Sequence, residues 1–486
     1  MKTKTRLISG MLAAAALATA THGAELTVPS ASYPSLAIAI AAAADNDTIT
    51  LLPGGSPFLA VPGFVISNKT ITLRGSTGNP NDVVIDGFNV ANNVVLELNG
   101  AGASGSVLQD LTITGGSTPL INNYGGAGLR LVDAGAVTID HCIIRDNVNP
   151  TSDGDSAGVF GTGTSVTCYD TLFQNNITMT PNSDAGGTML HTGNHLFVNC
   201  HFINNGVDAS ASPDNGAAAG GMYIGSGVTQ LIRCRFEGNR GGNGGGASSG
   251  GNATMIIDAC EFIGNEAHHG AGYYMSTGGT GAVPVIRNCL FDGNHSTVND
   301  AAIFTNKGAQ IRSCTMVNNI ADNSYIVGGS PTPGTVVIDN SIIWGNTMNT
   351  NIIPAPMAAV VRNNIFQQAY TGGGGSKSNT VADPGFVNLA GGDYRLAMGS
   401  PGIDSGDSNL YFGPFADLDG NLRVLDDPNT PDTGYTIDGP IIDAGCYEFQ
   451  PDGAVIDTCP VDTNGDSMID LDDLQNLLFE FGSSCP

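Results

Sequence analysis

One phrase that keeps returning constrains this chain more than any other feature. An apolar residue, two polar residues and a Cys or small residue are followed by x-Phe/Ile-x-x-Asn. It reads Ile139-Asp-His-Cys142-Ile-Ile-Arg-Asp-Asn147 and again Phe197-Val-Asn-Cys200-His-Phe-Ile-Asn-Asn205. Further copies centre on Cys234, Cys260, Cys289 and Cys314, with weaker ones at Leu111, Thr171, Ser341 and Asn364. A step that varies while the phrase stays intact means loops of different length between strands held in register, which is a solenoid. Two columns fix that register. Three residues before each centre stand Ile139, Cys168, Phe197, Leu231, Ile257, Ile286, Ile311, Ile338 and Val361, an apolar inner stack. Five residues after it stand Asn147, Asn176, Asn205, Asn239, Asn265, Asn294, Asn319 and Asn346. Asparagine tolerates the left-handed backbone, and amides stacked ~4.8 Å apart can hydrogen-bond from rung to rung.

The 68 glycines and the 6% of aromatic residues fit the short strands and tight turns of such a coil. The balance of 44 acidic to 17 basic residues argues against nucleic acid as a partner. It also argues against a polyanionic sugar unless calcium supplies positive charge. Residues 1–24 read as an export signal: Lys2, Lys4 and Arg6, an apolar run from Leu7 to Ala20, then small residues at Gly23 and Ala24. No later run reaches the ~20 apolar residues of a membrane span, so the chain is expected to be secreted or held at the cell surface.

These residues resemble the right-handed parallel β-helix proteins related to pectate lyases, over roughly residues 27 to 370. The resemblance implies an all-β solenoid over 25–383, capped at its open first coil by a helix over 34–44 that Tyr33-Pro34-Ser35 starts. Residues 384–450 resemble the closing segment of the choice-of-anchor Q β-helix proteins. The matching phrases are Asp383-Pro-Gly-Phe-Val-Asn, Gly399-Ser-Pro-Gly-Ile-Asp-Ser-Gly-Asp, Asp417-Leu-Asp-Gly-Asn and Asp443-Ala-Gly-Cys-Tyr-Glu448. Both likenesses speak to architecture rather than to activity.

A second module is expected at 451–486. Asp462, Asn464, Asp466, Asp470 and Asp473 occupy positions 1, 3, 5, 9 and 12 of an EF-hand loop, with the Met468 carbonyl at position 7. Asp473 and the following Leu474, Leu477, Leu478 and Phe481 resemble a type I dockerin repeat, which implies calcium and a cohesin-like partner. Ser467 stands where the sharp turn favours glycine, and one loop is present where a docking dockerin carries two. Cys459 and Cys485 bracket this module and are expected to pair. The remaining pattern reads differently, because Cys142, Cys200, Cys234, Cys260, Cys289 and Cys314 share one inward column and Cys168 another. Their parallel Cβ vectors ~4.8 Å apart exceed the usual disulfide separation, so they are expected to be buried thiols.

Catalytic residues are not identifiable from the sequence. Arg287, Arg312 and Arg362 share a column with Asp258 and Asp339, expected to form a surface ladder of opposite charges. His191, His195, His268 and His269 lack further ligands at zinc spacing and are read as solvent-exposed turn residues. Asp404, Asp407, Asp417, Asp419 and Asp426 are secondary calcium candidates. One feature points to binding: after each small-residue turn a short strand places Arg130, Phe160, Met189, Tyr223, Ser248, Tyr274 and Phe304 in one outward column. Phe160, Tyr223, Tyr274 and Phe304 are the candidate ligand platform, since aromatic ladders stack on sugars or partner surfaces. The expected role is therefore binding of extracellular polysaccharide or a surface structural or adhesive function. The family resemblance implies a polysaccharide lyase or glycoside hydrolase as the alternative.

Overall fold

The computed structural model describes residues 23–117, 125–150, 156–179, 185–207, 219–276, 278–322, 324–329, 334–348, 351–354, 359–370, 378–411, 416–437 and 439–451. Most of residues 1–24, expected to be an export signal, and the 462–473 loop, Cys459 and Cys485 of the expected calcium module lie outside the described residues.

The chain forms a right-handed parallel β-helix. A middle coil shows how the sequence builds it. The strand Leu129–Asp140 runs along the helix wall, with its pairing register shifting between Val132 and Gly135. There Gly135 adopts φ 68°, which a residue with a Cβ rarely takes. The chain then turns at Cys142, forms Ile143–Arg145, turns again at Asn147 and forms Val148–Asn149 before looping back. Stacking these pieces gives a 19-stranded sheet, a 13-stranded sheet and two short three-stranded sheets, all parallel from coil to coil. The helix Leu36–Ala42 caps the first coil, its N-cap Ser35 hydroxyl accepting from the Ile38 N–H.

The two turns explain the phrase. The residue before each centre is left-handed: His141, Asp170, Asn199, Arg233, Ala259, Asn288, Ser313, Asn340 and Asn363 lie between φ 46° and 54°. The second turn corrects the expectation placed on the asparagine column. The left-handed residue there is the one before it: Asp146, Asn175, Asn204, Gly238, Gly264, Gly293, Asn318 or Gly345. The ladder asparagines are selected for their side chains instead. Each buried Nδ2 from Asn147 to Asn319 donates to the Oδ1 of the next coil's asparagine at 2.9–3.0 Å. Each such Oδ1 also accepts that residue's backbone N–H. Asn346 closes the row by donating its own N–H to Gln367 Oε1 at 2.7 Å.

The inner column from Ile139 to Val361 is fully buried as expected. Beside it Phe173, Phe202, Phe236, Phe262 and Phe291 stack with centroids 4.4–4.9 Å apart and planes within 6°. That spacing is the interstrand distance, so the fold imposes the stack. Each such ring contributes ~1.5–3 kcal/mol through burial. The core cysteines are free and buried, with Cys168 and Cys200 sulfurs 3.5 Å apart.

The closing segment folds back on the last coils. Its hairpin Phe386–Asn388 and Asp393–Leu396 is antiparallel. Leu396, Ile403 and Ala444 pack on Ile342 and Ile365, while Tyr394 and Cys446 pack on Leu290 and Val317. Tyr394 also donates its hydroxyl to Asp292 Oδ2 at 2.7 Å.

Candidate functional site

The candidate platform begins with strand alternation. Leu129, Leu131, Met222, Ile224, Tyr273, Met275 and Ile303 point into the core. Their intervening neighbours therefore point outward, and backbone pairing places Arg130, Phe160, Met189, Tyr223, Ser248, Tyr274 and Phe304 directly above one another. Register and outward direction agree with the sequence reading. Accessibility does not agree along the whole column. Arg130, Phe160, Met189 and Ser248 are buried, and only Tyr223, Tyr274 and Phe304 remain partly exposed.

The glycine turns contribute to this at both ends of the column, and the packing around Phe160 completes its burial while Phe304 stays partly open. Gly126 has φ 86°, and a Cβ placed on it would sit 2.7 Å from the Phe160 Cβ. Gly270 repeats this at φ 57°, 2.9 Å from the Phe304 Cβ. Each turn thus crosses the column residue of the next coil, and only glycine allows so close an approach. Phe160 is further enclosed by Ala185, Met189 and Ala219, with Tyr223 against them. Phe160 is consequently part of a small satellite core and offers no face to a ligand.

What remains open is a compact group at one end. Tyr274 and Phe304 stack at 5.0 Å with planes 14° apart. The His269 ring lies 5.7 Å from Phe304 and 6.5 Å from Tyr274. His269 is held by Asn299, whose amide nitrogen is 2.9 Å from Nδ1. Burial first, and then the neighbouring His268, lower the His269 pKa, which favours the neutral ring. Burial raises the Tyr274 pKa against a hydrogen bond from Asn306. Two stacked rings, one of them a phenol, with a neutral imidazole beside them make an uncharged amphipathic surface suited to stacking on another ring.

The other sequence candidates fall elsewhere. Asp258, Arg287, Arg312, Asp339 and Arg362 do form one continuous column. It is no surface ladder, because Asp339 is wholly buried and Asp258 nearly so. The closing segment seals that face: Asn340 donates to the Asp407 carbonyl at 3.0 Å and accepts the Asp407 N–H at 2.8 Å. Arg362 grips Asp339 with two bonds of 2.7 and 2.8 Å, and Arg287 lies 2.8 Å from Asp258. Even so, burial outweighs the guanidiniums and raises the Asp339 pKa. Charges already closed on one another are poorly placed to act on a substrate.

His195 is likewise no exposed turn residue. It begins the strand His195–Val198 and is buried, with Nδ1 accepting the Val166 N–H at 3.2 Å. That bond fixes the tautomer with the proton on Nε2, and burial pushes the pKa down to about 4.

Three of the five secondary calcium candidates are otherwise engaged. Asp407 caps Asn409, Asp419 pairs with Arg395 at 2.6 and 3.0 Å, and Asp417 accepts three backbone N–H groups. Asp404 and Asp426 instead converge with Asp432, one oxygen of each lying within 4.8 Å of the others. The reading of the sequence missed Asp432, and it also missed the buried Arg423. Arg423 Nη1 lies 3.5 Å from Glu448, and its Nη2 donates to the Asp443 and Gly445 carbonyls. Burial raises the Asp443 pKa to about 7 and that of Glu448 well above its usual range.

No family model matches this sequence, and no curated protein matches it. Among solved structures, the crystal structure of pectate lyase Pel9A is similar at 14% identity, covering 86% of this chain and 91% of that one, with a TM-score of 0.37. No residue's role is carried over from that likeness.

Proposed function

We propose that this chain is an extracellular β-helix that binds polysaccharide through the open end of its outward column, with Tyr274 and Phe304 as the stacking surface and Tyr223 further along the same column, beyond Ser248. The observation that carries the reading is the near-parallel Tyr274–Phe304 pair, partly exposed and backed by the His269 ring. Its uncharged character favours neutral sugars, in keeping with 44 acidic against 17 basic residues. Among the described residues no helix is long and apolar enough to cross a membrane. Calcium binding by the 462–473 loop, docking of that tail to a cohesin-like partner and export by residues 1–24 stay within this proposal on the sequence pattern alone.

The test is native affinity electrophoresis of the full chain through gels containing neutral glucans, mannans or xylans, with reducing ends assayed in parallel. At least one polymer should retard the protein, and Tyr274→Ala with Phe304→Ala should abolish the retardation while the thermal midpoint stays cooperative. Undiminished retardation of that double variant refutes the site. Retardation by none of the polymers refutes the sugar reading and leaves a protein-binding or structural surface, whereas new reducing ends would establish the lyase or hydrolase alternative.

A further inference from the structure

The closing segment holds a carboxylate that the rest of the fold leaves unfinished. Asp404 is completely buried, with a left-handed φ of 49°. Its surroundings pin it from several sides. Its N–H donates to Asp443 Oδ1 at 2.8 Å, its carbonyl accepts from Thr433 and Gly434 at 3.0 and 2.9 Å, and its Oδ2 accepts the Asp427 N–H at 3.2 Å. Only Oδ1 has no hydrogen-bond partner. A buried carboxylate oxygen without a partner forfeits its solvation with nothing in return, so such groups are rare unless something is meant to meet them.

Two further carboxylates come to this place. Asp426 and Asp432 flank a turn set by Asp427, which caps Asn429 at 3.1 Å and Thr430 at 2.6 Å. Asp427 is therefore occupied, while Asp426 and Asp432 each bring an oxygen within 4.8 Å of Asp404. Among the described residues none of the three forms an ion pair, although Arg395 and Arg423 pair with other acids of the same segment. Three acids with no counter-charge, one of them buried, repel one another in this arrangement.

We propose that Asp404, Asp426 and Asp432 form a calcium site that ties the 426–432 turn to the 400–407 segment. The donors are all hard oxygens, which excludes a preference for zinc or copper. Calcium–oxygen bonds of ~2.4 Å place two ligands at most ~4.8 Å apart, the limit within which these oxygens fall. Magnesium keeps several of its waters and is bound through one or two carboxylates, so a three-carboxylate set favours calcium. Exposure of Asp426 and Asp432 leaves room for the waters that complete the shell. The ion would supply the missing partner of Asp404 and fix a stretch that has no coil register to hold it. Because Asp407 of the same stretch locks onto Asn340, the site also secures the cover over the Arg312–Asp339–Arg362 column.

The test must separate this site from the tail loop. Calorimetric calcium titration and thermal melting of the full chain are run on an Asp462→Ala, Asp466→Ala background, which disables that loop. This background should still bind one calcium and melt higher in calcium than in chelator. Adding Asp426→Asn and Asp432→Asn, both exposed positions, should weaken the remaining binding at least tenfold and erase the thermal shift. Asp404→Asn should do the same, while its melting in chelator should not fall below that of the background. A background protein that binds no calcium overturns the proposal, as does undiminished binding after the Asp426 and Asp432 exchanges.

Discussion

Removing one rung of the asparagine ladder tests the account of what holds the coils together. Asn239 is completely buried and makes four side-chain hydrogen bonds. Its Nδ2 donates to the Phe202 carbonyl at 2.8 Å and to Asn265 Oδ1 at 3.0 Å, and its Oδ1 accepts both the N–H and the Nδ2 of Asn205 at 3.0 Å. In Asn239→Ala the Asn205 backbone N–H loses its acceptor inside the wall. Asn205 Nδ2 keeps only its bond to the Phe173 carbonyl, while Asn265 Oδ1 still accepts the Asn239 N–H. One orphaned buried donor costs ~1–3 kcal/mol, and the half-satisfied amide with the vacated volume adds a similar amount. The expected loss is ~3–5 kcal/mol, a large share of the 5–15 kcal/mol typical of a folded domain. Urea unfolding followed by circular dichroism should show it as a lower midpoint. Hydrogen exchange should find the Asn205 amide deprotected by at least a hundredfold while amides several coils away are unchanged, since a solenoid couples mainly nearest neighbours. Asn239→Asp should be no milder, because it keeps the acceptor but sets a carboxylate against Asn265 Oδ1. A loss below ~1 kcal/mol, comparable to Asn→Ala at the exposed Asn81, would refute the reasoning and reduce the ladder to a consequence of register.

Two more outcomes follow from buried polar groups. The unfolded chain protonates His195 from about pH 6.5 downward but the folded one only near 4, so its contribution is complete above pH 6.5 and is lost as the pH falls towards 4. Wild type should lose ~3 kcal/mol more than His195→Met across that window in pH-dependent urea melts, and parallel curves would show that His195 is not the group responsible. Arg362→Met should cost ~3–5 kcal/mol by leaving Asp339 buried with only Arg312 at 3.7 Å. Combining it with Asp339→Leu should recover most of that loss in thermal melts, and a double variant no better than the single one would contradict the charge argument.

The fold was legible because a solenoid writes its geometry into the sequence as a period. Once the phrase around Cys142 was aligned with that around Cys200, every inner residue from Ile139 to Val361 followed, and the outward column from Arg130 to Phe304 fell into register with it. The misplaced left-handed residue shows the resolution of such reading. At the second turn Asp, Asn and Gly alternate one position before the ladder, a mixed column that looks unselected until the backbone shows φ between 53° and 67° there. The invariant asparagine drew the inference to itself, although its invariance reflects hydrogen bonding by the side chain.

What the period could not carry is everything that lies over the coils. Whether Phe160 faces solvent depends on how far the Gly126 turn leans across it, and whether Asp339 does depends on Asp407, 68 residues further along a stretch with no repeat. The same blindness hid the meeting of Asp404 with Asp432, because acids in a non-periodic segment carry no register from which to predict neighbours. Yet that segment is where buried charge concentrates: Asp404, Asp417, Arg423, Asp427, Asp443 and Glu448 all lie within it. A repeated core can rely on identical rungs satisfying one another, as the asparagines do. A closing segment meets each coil only once, so it must bring its own partners for every polar group it buries, from side chains, from its backbone or from a bound ion. The places where polar partners run short in such a segment, Asp404 first among them, are therefore the places to look for chemistry that the repeat itself does not contain.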